Sequence, residues 1–277
     1  MKSPLSGIVE RYMNEDKSSN IARMKLMTKK AITIGAVLLV LVTALIVVFG
    51  VIRLREPERT GLILPPSSYS EHGKYYDILT SYATSTPLRE SVGASADVQA
   101  RSSMYGFITD TVAQFKSDGQ FDSLTSEDIK MLGFDQGRKE TLQITYRVVM
   151  APHTVSYIYT IYEDTLGAHG NTNFKTFTFD LKSGAELGLA DIFSGSSYLQ
   201  TFSSISRAKL PAMVGDLTND MLTEGTKPDA QNFQYFYFEK SDFVLLFPPY
   251  QVAPYAAGPQ TLKIPLSKLP SLKADYK

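Results

Sequence analysis

The residues Ala31 to Ile52, AITIGAVLLVLVTALIVVFGVI, form a run of twenty-two without a single charge. As an α-helix rising about 1.5 Å per residue, a run of this length reaches about 33 Å, enough to cross the hydrocarbon core of a bilayer. Helices buried in water-soluble domains rarely stay apolar on every side for so long. The chain is therefore expected to be a single-pass membrane protein, with thirty residues before the span and two hundred and twenty-five after it.

Basic residues beside a span set its orientation. Lys2, Arg11, Lys17, Arg23, Lys25, Lys29 and Lys30 precede it, whereas Arg53, Arg55 and Arg59 follow it mixed with Glu56 and Glu58. The asymmetry places the N-terminus in the cytoplasm and the C-terminal domain outside. A cleaved signal peptide has an apolar core of about 7–15 residues followed by small residues of A-x-A type. This run is longer and VIRLREPERT follows it, so an uncleaved signal anchor fits better.

The chain has no cysteine, which removes thiol catalysis, thiolate metal sites and redox switching. A zero net charge hides a split. Residues 1–30 carry seven basic and three acidic groups, a net of +4; residues 61–277 carry eighteen basic and twenty-three acidic groups, a net of −5. A mildly acidic exported domain argues against nucleic acid and permits a basic partner.

Residues 1–30 read as a short basic tail, too small for a core of its own. Residues 53–94 read as a stalk, since Pro57, Pro65, Pro66 and Pro87 stand among Ser and Thr with little periodicity. Tyr75, Tyr76, Ile78 and Leu79 can dock there as a short strand or turn. Val98, Tyr105, Ile108, Val112 and Phe115 then recur at helical spacing, with Ser95 or Asp97 as N-cap and Gly119 as the stop.

Alternation from Thr141 to Met150 predicts a half-buried strand, and Val155 to Tyr162 its returning partner. Asn173 to Leu181 predicts another strand, ending in a turn at Lys182-Ser183-Gly184, where glycine can take a positive φ. Helical spacing returns from Ser196 to Leu222, with Pro211 expected to kink or split it. Phe233 to Phe238, Phe243 to Phe247 and Thr261 to Ile264 predict three more strands. The pattern predicts an α+β domain with an antiparallel sheet and two main helical regions, preceded by one transmembrane helix.

Three blocks in order make these segments resemble a known family. They are Gly167-Ala168-His169-Gly170-Asn171; Phe179-Asp180-Leu181-Lys182-Ser183-Gly184 with Glu186, Leu187, Leu189, Asp191, Ile192 and Phe193; and Phe247-Pro248-Pro249-Tyr250 with Pro254-Tyr255-Ala256-Ala257-Gly258 and Ile264-Pro265. The chain resembles the paired extracytoplasmic modules found in the anti-sigma factor RsiV and in the N-terminal half of the peptidoglycan deacetylase PdaC. The resemblance implies a first module over residues 95–165 and a second over 166–270. Enzymes of the PdaC type carry a catalytic domain after these modules, and proteins of the RsiV type a sigma-binding segment before the membrane. The expectation is therefore the exported fold rather than sigma regulation.

His169, in a glycine-flanked turn, can act as base, ligand or contact residue. Neither His72 nor His153 has metal-ligand spacing to it, so no metal or other cofactor is expected. Asp180 and Asp191 can pair for acid–base work, or can accept turn and helix amides. Tyr250 and Tyr255, on a proline-rich loop, can stack on sugars, anchor a protein, or plug a sheet edge. The expected binding residues are His169, Asn171, Tyr250 and Tyr255, with no catalytic residue. The expected function is a non-enzymatic binding or sensing domain at the cell envelope, anchored in the lipid bilayer. Its ligand is a protein, lysozyme in the case of RsiV, or wall glycan. An accessory or cryptic wall hydrolase using His169, Asp180 and Asp191 is the alternative.

Overall fold

The computed structural model describes residues 68–214 and 219–277. The apolar run Ala31–Ile52, the basic tail and residues 53–67 lie outside the described residues. Among the described residues no helix is long and apolar enough to cross a membrane.

Five strands make the first sheet: β1 (Ser68–His72), β2 (Tyr76–Ser81), β3 (Glu140–Met150), β4 (Thr154–Asp164) and β5 (Asn171–Asp180), in that spatial order. Neighbours are antiparallel except β2 and β3, which run parallel, so the antiparallel expectation is corrected at that pair. A parallel pair needs a crossover connection. Here it holds the short helix α1 (Leu88–Ser91), the long helix α2 (Ala94–Gly119) and α3 (Ser126–Leu132).

That crossover explains why the expected stalk is folded from Ser68 onward. The strand β2 pairs with a partner more than sixty residues later, Tyr76 opposite Glu140 and Ile78 opposite Leu142. Only Ile78 and Thr80 of β2 are buried, too few to show a period in the sequence. The strand β5, assigned to the second module, pairs along its length with β4 of the first, so one sheet crosses the boundary at 165.

The helix α2 lies on one face of this sheet. Ala100, Met104, Ile108 and Phe115 pack against Ile78, Leu142, Ile144, Tyr157 and Phe179. Its buried stripe is turned from the expected one, leaving Val98 and Tyr105 exposed. Gly93 precedes the helix, so neither Ser95 nor Asp97 is its N-cap. Asp97 instead accepts from the Thr86 amide at 2.6 Å and pairs with Arg101 at 3.2 Å, and both side chains are buried. Burial opposes its ionised form, but these donors outweigh burial and hold its carboxyl below the usual range.

The second sheet is β6 (Phe236–Glu239), β7 (Asp242–Phe247) and β8 (Gln260–Pro265), all antiparallel. The expected strand at Phe233 starts later, because Ala230–Phe233 is a 3-10 turn. One face of this sheet places Tyr237, Val244 and Leu246 against Ile158 of β4. The other face packs Phe236, Phe243, Phe247 and Ile264 with Phe202 of α5 (Ser197–Lys209), the Phe202 and Phe243 rings stacked at 5.1 Å. The helix α5 ends at Lys209 and Pro211 opens a new short helix, as its missing N–H requires. The fold is thus α+β, layered as helix, sheet, sheet, helix.

The strand β1 is tied to the far end of α2 through Glu71. Its carboxylate accepts from Lys116 Nζ at 2.6 and 2.7 Å, from Tyr76 Oη at 2.6 Å, and from Tyr69 Oη. The bonds from Lys116, then Tyr69 and Tyr76, lower its pKa from 4.5 to about 2. A depressed carboxyl adds stability that is complete above 4.5 and is lost as pH falls toward 2. Thermal melts across that window are expected to fall more steeply for the native chain than for Glu71→Gln. Asp97→Ala leaves Arg101 buried without its partner and is expected to cost about 3–5 kcal/mol in denaturant unfolding.

Candidate functional site

Three of the four expected binding residues converge on one surface. His169 stands in the β4–β5 connection, and Tyr250 and Tyr255 stand in the β7–β8 connection, about eighty residues away in sequence. The His169 imidazole stacks on the Tyr255 ring at 3.7 Å and 16°. Its Nε2 lies 3.0 Å from Tyr250 Oη, and its Nδ1 lies 2.9 Å from the Gly170 carbonyl. A carbonyl oxygen only accepts, so Nδ1 carries the hydrogen of this contact. In the neutral ring Nε2 then accepts from the Tyr250 hydroxyl. Tyr255 Oη donates to the same Gly170 oxygen at 2.8 Å, so one carbonyl ties both aromatic residues to the loop.

The backbone around these rings is held from several sides. A Cβ added to Gly170 would stand 2.3 Å from Tyr162 Oη, so any larger residue between His169 and β5 would have to push the Tyr162 ring aside. Tyr250 takes a left-handed φ of 68°, which a side chain of this size adopts only when its surroundings impose it. The next residue supplies that restraint. Gln251 Nε2 donates to the carbonyls of Gly225 at 3.0 Å and Asn232 at 2.8 Å. Val252 and Ala253 are buried beside it, and a Cβ on Gly225 would stand 1.9 Å from the Gln251 oxygen. Gly225 and Gln251 carry no local motif, so their role was not readable before the two segments met.

Tyr250 is half exposed and His169 is exposed, whereas Tyr255 is half-buried beneath them. Tyr255 thus supports the surface that His169 and Tyr250 present. Asn171 opens β5 next to this group, but its Oδ1 accepts from the Thr172 amide at 3.0 Å and is used locally.

Asp180 and Asp191 do not complete a reaction centre with His169. Asp180 ends β5 and His169 precedes its start, a separation of about 30 Å at the ordinary strand rise. Asp180 accepts from the amides of Lys182 at 2.9 Å and Ser183 at 2.6 Å, and from Tyr276 Oη at 3.2 Å. Burial opposes its ionised form, but these donors prevail and hold its carboxyl below the usual range. Gly184 takes a φ of 76° in the same turn, as the sequence predicted. Asp191 accepts from the Gly188 amide at 2.9 Å at the start of α4 (Leu189–Ile192). Both aspartates therefore hold backbone turns. Among the described residues no carboxylate hydrogen-bonds His169, and no group of three or more His, Asp or Glu is placed to hold a metal ion.

Residues 190–267 match the family described as "Protein of unknown function (DUF3298)". Over that segment the chain is similar to DUF3298 domains. The matched segment includes Tyr250 and Tyr255, while His169 comes from the strand connection before it. The chain is also similar to the peptidoglycan-N-acetylmuramic acid deacetylase PdaC of Bacillus subtilis, with 34% identity over 143 residues. That match covers 50% of this chain and 31% of the relative, so it spans about a third of the relative's length. The resemblance to a PdaC-type domain is borne out. Two crystal structures of DUF3298 family proteins are also similar to this chain. One from Bacteroides fragilis has 18% identity and a TM-score of 0.49, covering 75% of this chain and 92% of that one. One from Pseudomonas aeruginosa has 14% identity and a TM-score of 0.44, covering 77% and 96%.

The chain has no tryptophan, so tyrosine fluorescence can report on this cluster. His169→Ala removes a stacked pair and two hydrogen bonds, to Tyr250 Oη and to the Gly170 carbonyl, a cost of about 1–2 kcal/mol at this exposed position. The expected result is a changed tyrosine emission with the cooperative melt retained. Gly225→Ala forces the Gln251 backbone away and is expected to lose about 1–3 kcal/mol by overpacking. A Gly225→Ala melt equal to that of the native chain would show that the loop is not held there.

Proposed function

We propose that the chain is a membrane-anchored, extracytoplasmic binding domain of the cell envelope, and that His169, Tyr250 and Tyr255 form its contact surface. The observation that carries this reading is the exposed aromatic and hydroxyl surface, assembled from two distant loops and locked by Gly170 and Gln251. An aromatic face beside hydroxyl and imidazole groups suits a sugar ring or a protein anchor. The Bacillus subtilis relative acts, by its name, on peptidoglycan. Wall glycan is therefore favoured over a lysozyme-like protein as the ligand. No reaction is assigned to the site, since His169 bonds to a carbonyl and a phenol rather than to a carboxylate.

The uncharged run Ala31–Ile52 supplies the anchor, with the basic tail inside and the domain outside. Protease added to intact cells is expected to degrade the C-terminal domain and spare the tail. The reverse pattern would overturn the orientation.

The full chain in detergent is expected to co-sediment with purified peptidoglycan. Tyr250→Ala is expected to weaken retention more than about tenfold, in line with the loss of an aromatic anchor worth about 2 kcal/mol. Its melt should stay close to native, because the side chain is half exposed. Retention on immobilised lysozyme instead would assign a protein ligand. Retention on neither would overturn the binding reading.

A further inference from the structure

A cavity of about 230 Å³ opens between the two sheets where β4 begins. Thr154 pairs there with Asp180, so the cavity lies at the opposite end of β5 from the aromatic cluster. Its walls come from the β3–β4 turn, the two-residue β6–β7 turn, Leu266 and Tyr276. Phe238 and Tyr276 are buried, with their rings stacked at 6.0 Å, and Pro152 and Leu266 extend the apolar lining.

The inner wall holds a hydroxyl with nothing to bond. Thr154 is 1% exposed, and its Oγ1 has no partner among the described residues. Alternation along β4 turns its side chain toward the second sheet, as it turns Ser156 and Ile158. That direction is the cavity, which Thr154 lines. Tyr276, also buried in this wall, already donates its hydroxyl to Asp180 at 3.2 Å. A water needs about two to four polar partners, more than Thr154 supplies alone. A buried hydroxyl left unpaired is a cost that a ligand group can remove.

The mouth has a different chemistry. His153, Lys240 and Lys277 are exposed there, and among the described residues no carboxylate side chain lines the cavity. Glu239, next to Lys240, pairs with Lys263 instead, which leaves the Lys240 ammonium without a partner among the described residues. Lys240 also holds a left-handed φ of 53° in the β6–β7 turn, a position that suits glycine or asparagine better. The turn thus carries a lysine against its local preference, at the rim of the cavity.

We infer that this cavity binds a small phenolic monocarboxylate, its hydroxyl at Thr154, its ring against Phe238 and Leu266, and its carboxylate at Lys240. An apolar cavity of about 150 Å³ takes a benzene ring, so this one has room for a ring bearing a short acid. An unsubstituted ring leaves Thr154 unpaired. A cationic amine meets Lys240 and Lys277 as a like charge, and inorganic phosphate leaves the apolar walls uncovered. This inference uses none of the residues of the proposed glycan surface and does not depend on it.

Titration calorimetry of the full chain in nanodiscs tests it, with 4-hydroxyphenylacetate as the probe and phenylacetate and tyramine as comparisons. One probe molecule is expected per chain, bound at least tenfold more tightly than tyramine. Its advantage over phenylacetate is expected to be about fivefold, the worth of one hydrogen bond. Thr154→Val keeps the side-chain shape and removes only an unpaired hydroxyl, so its melt should match or exceed the native one. The same variant is expected to bring the probe down to the affinity of phenylacetate, which itself stays unchanged. Lys240→Asn suits the left-handed turn and is expected to keep the melt while weakening both carboxylates at least threefold. His169→Ala is expected to leave all three affinities unchanged. Equal binding of tyramine, equal binding of phenylacetate, no binding of the probe, or native affinity for the probe in Thr154→Val would each overturn the assignment.

Discussion

Burial of β4 on both faces is the constraint from which the rest of the architecture follows. Val155, Tyr157 and Tyr159 face the long helix, and Ser156 and Ile158 face the second sheet, each no more than 2% exposed. Water cannot serve the polar groups of such a strand, and protein partners meet Ser156, while the buried hydroxyls of Thr154 and Tyr159 have no partner among the described residues. The hydroxyls of Ser156 and Thr178 lie 2.9 Å apart. Thr178 and Thr176 in turn reach the backbone of Phe236, through its carbonyl at 3.5 Å and its amide at 3.2 Å. These bonds stitch β6 to β5 and set how the two sheets lie on each other.

With the sheets held in that way, two remote connections end at the same rim. The β4–β5 connection brings His169, and the β7–β8 connection brings Tyr250 and Tyr255. The cluster is then made by short-range bonds to one carbonyl, that of Gly170. Opposite ends of β5 acquire opposite characters. One end carries an exposed aromatic surface, and the other carries Asp180 folded into its own turn. The space between the sheets beside that turn has a third character, an apolar cavity with lysines at its mouth.

Much of the strand pattern was legible because period-two alternation and turn glycines act locally. The β3–β4 hairpin, the turn at Gly184 and the break at Pro211 all lie where local rules put them. The parallel pairing of β2 was not legible, since its partner is brought by a crossover helix rather than by a tight turn. For the same reason residues 68–94 read as a stalk. The rotated stripe of α2 was also hidden. Asp97 and Arg101 face inward there as a buried pair, which a hydrophobic period alone does not count.

The candidate residues show the same division. His169, Tyr250 and Tyr255 could be picked out singly, as a histidine between glycines and as tyrosines among prolines. Their contact could not, because it depends on sheet packing across about eighty residues. By itself the sequence determined the uncharged run Ala31–Ile52, the absence of cysteine chemistry and the α+β alternation of elements, since each follows from composition or local period. Only the tertiary structure decided which loops meet, which aspartates serve turns and which buried hydroxyls stay unpaired. Those outcomes depend on which faces are buried against each other, and burial is a property of the packed chain.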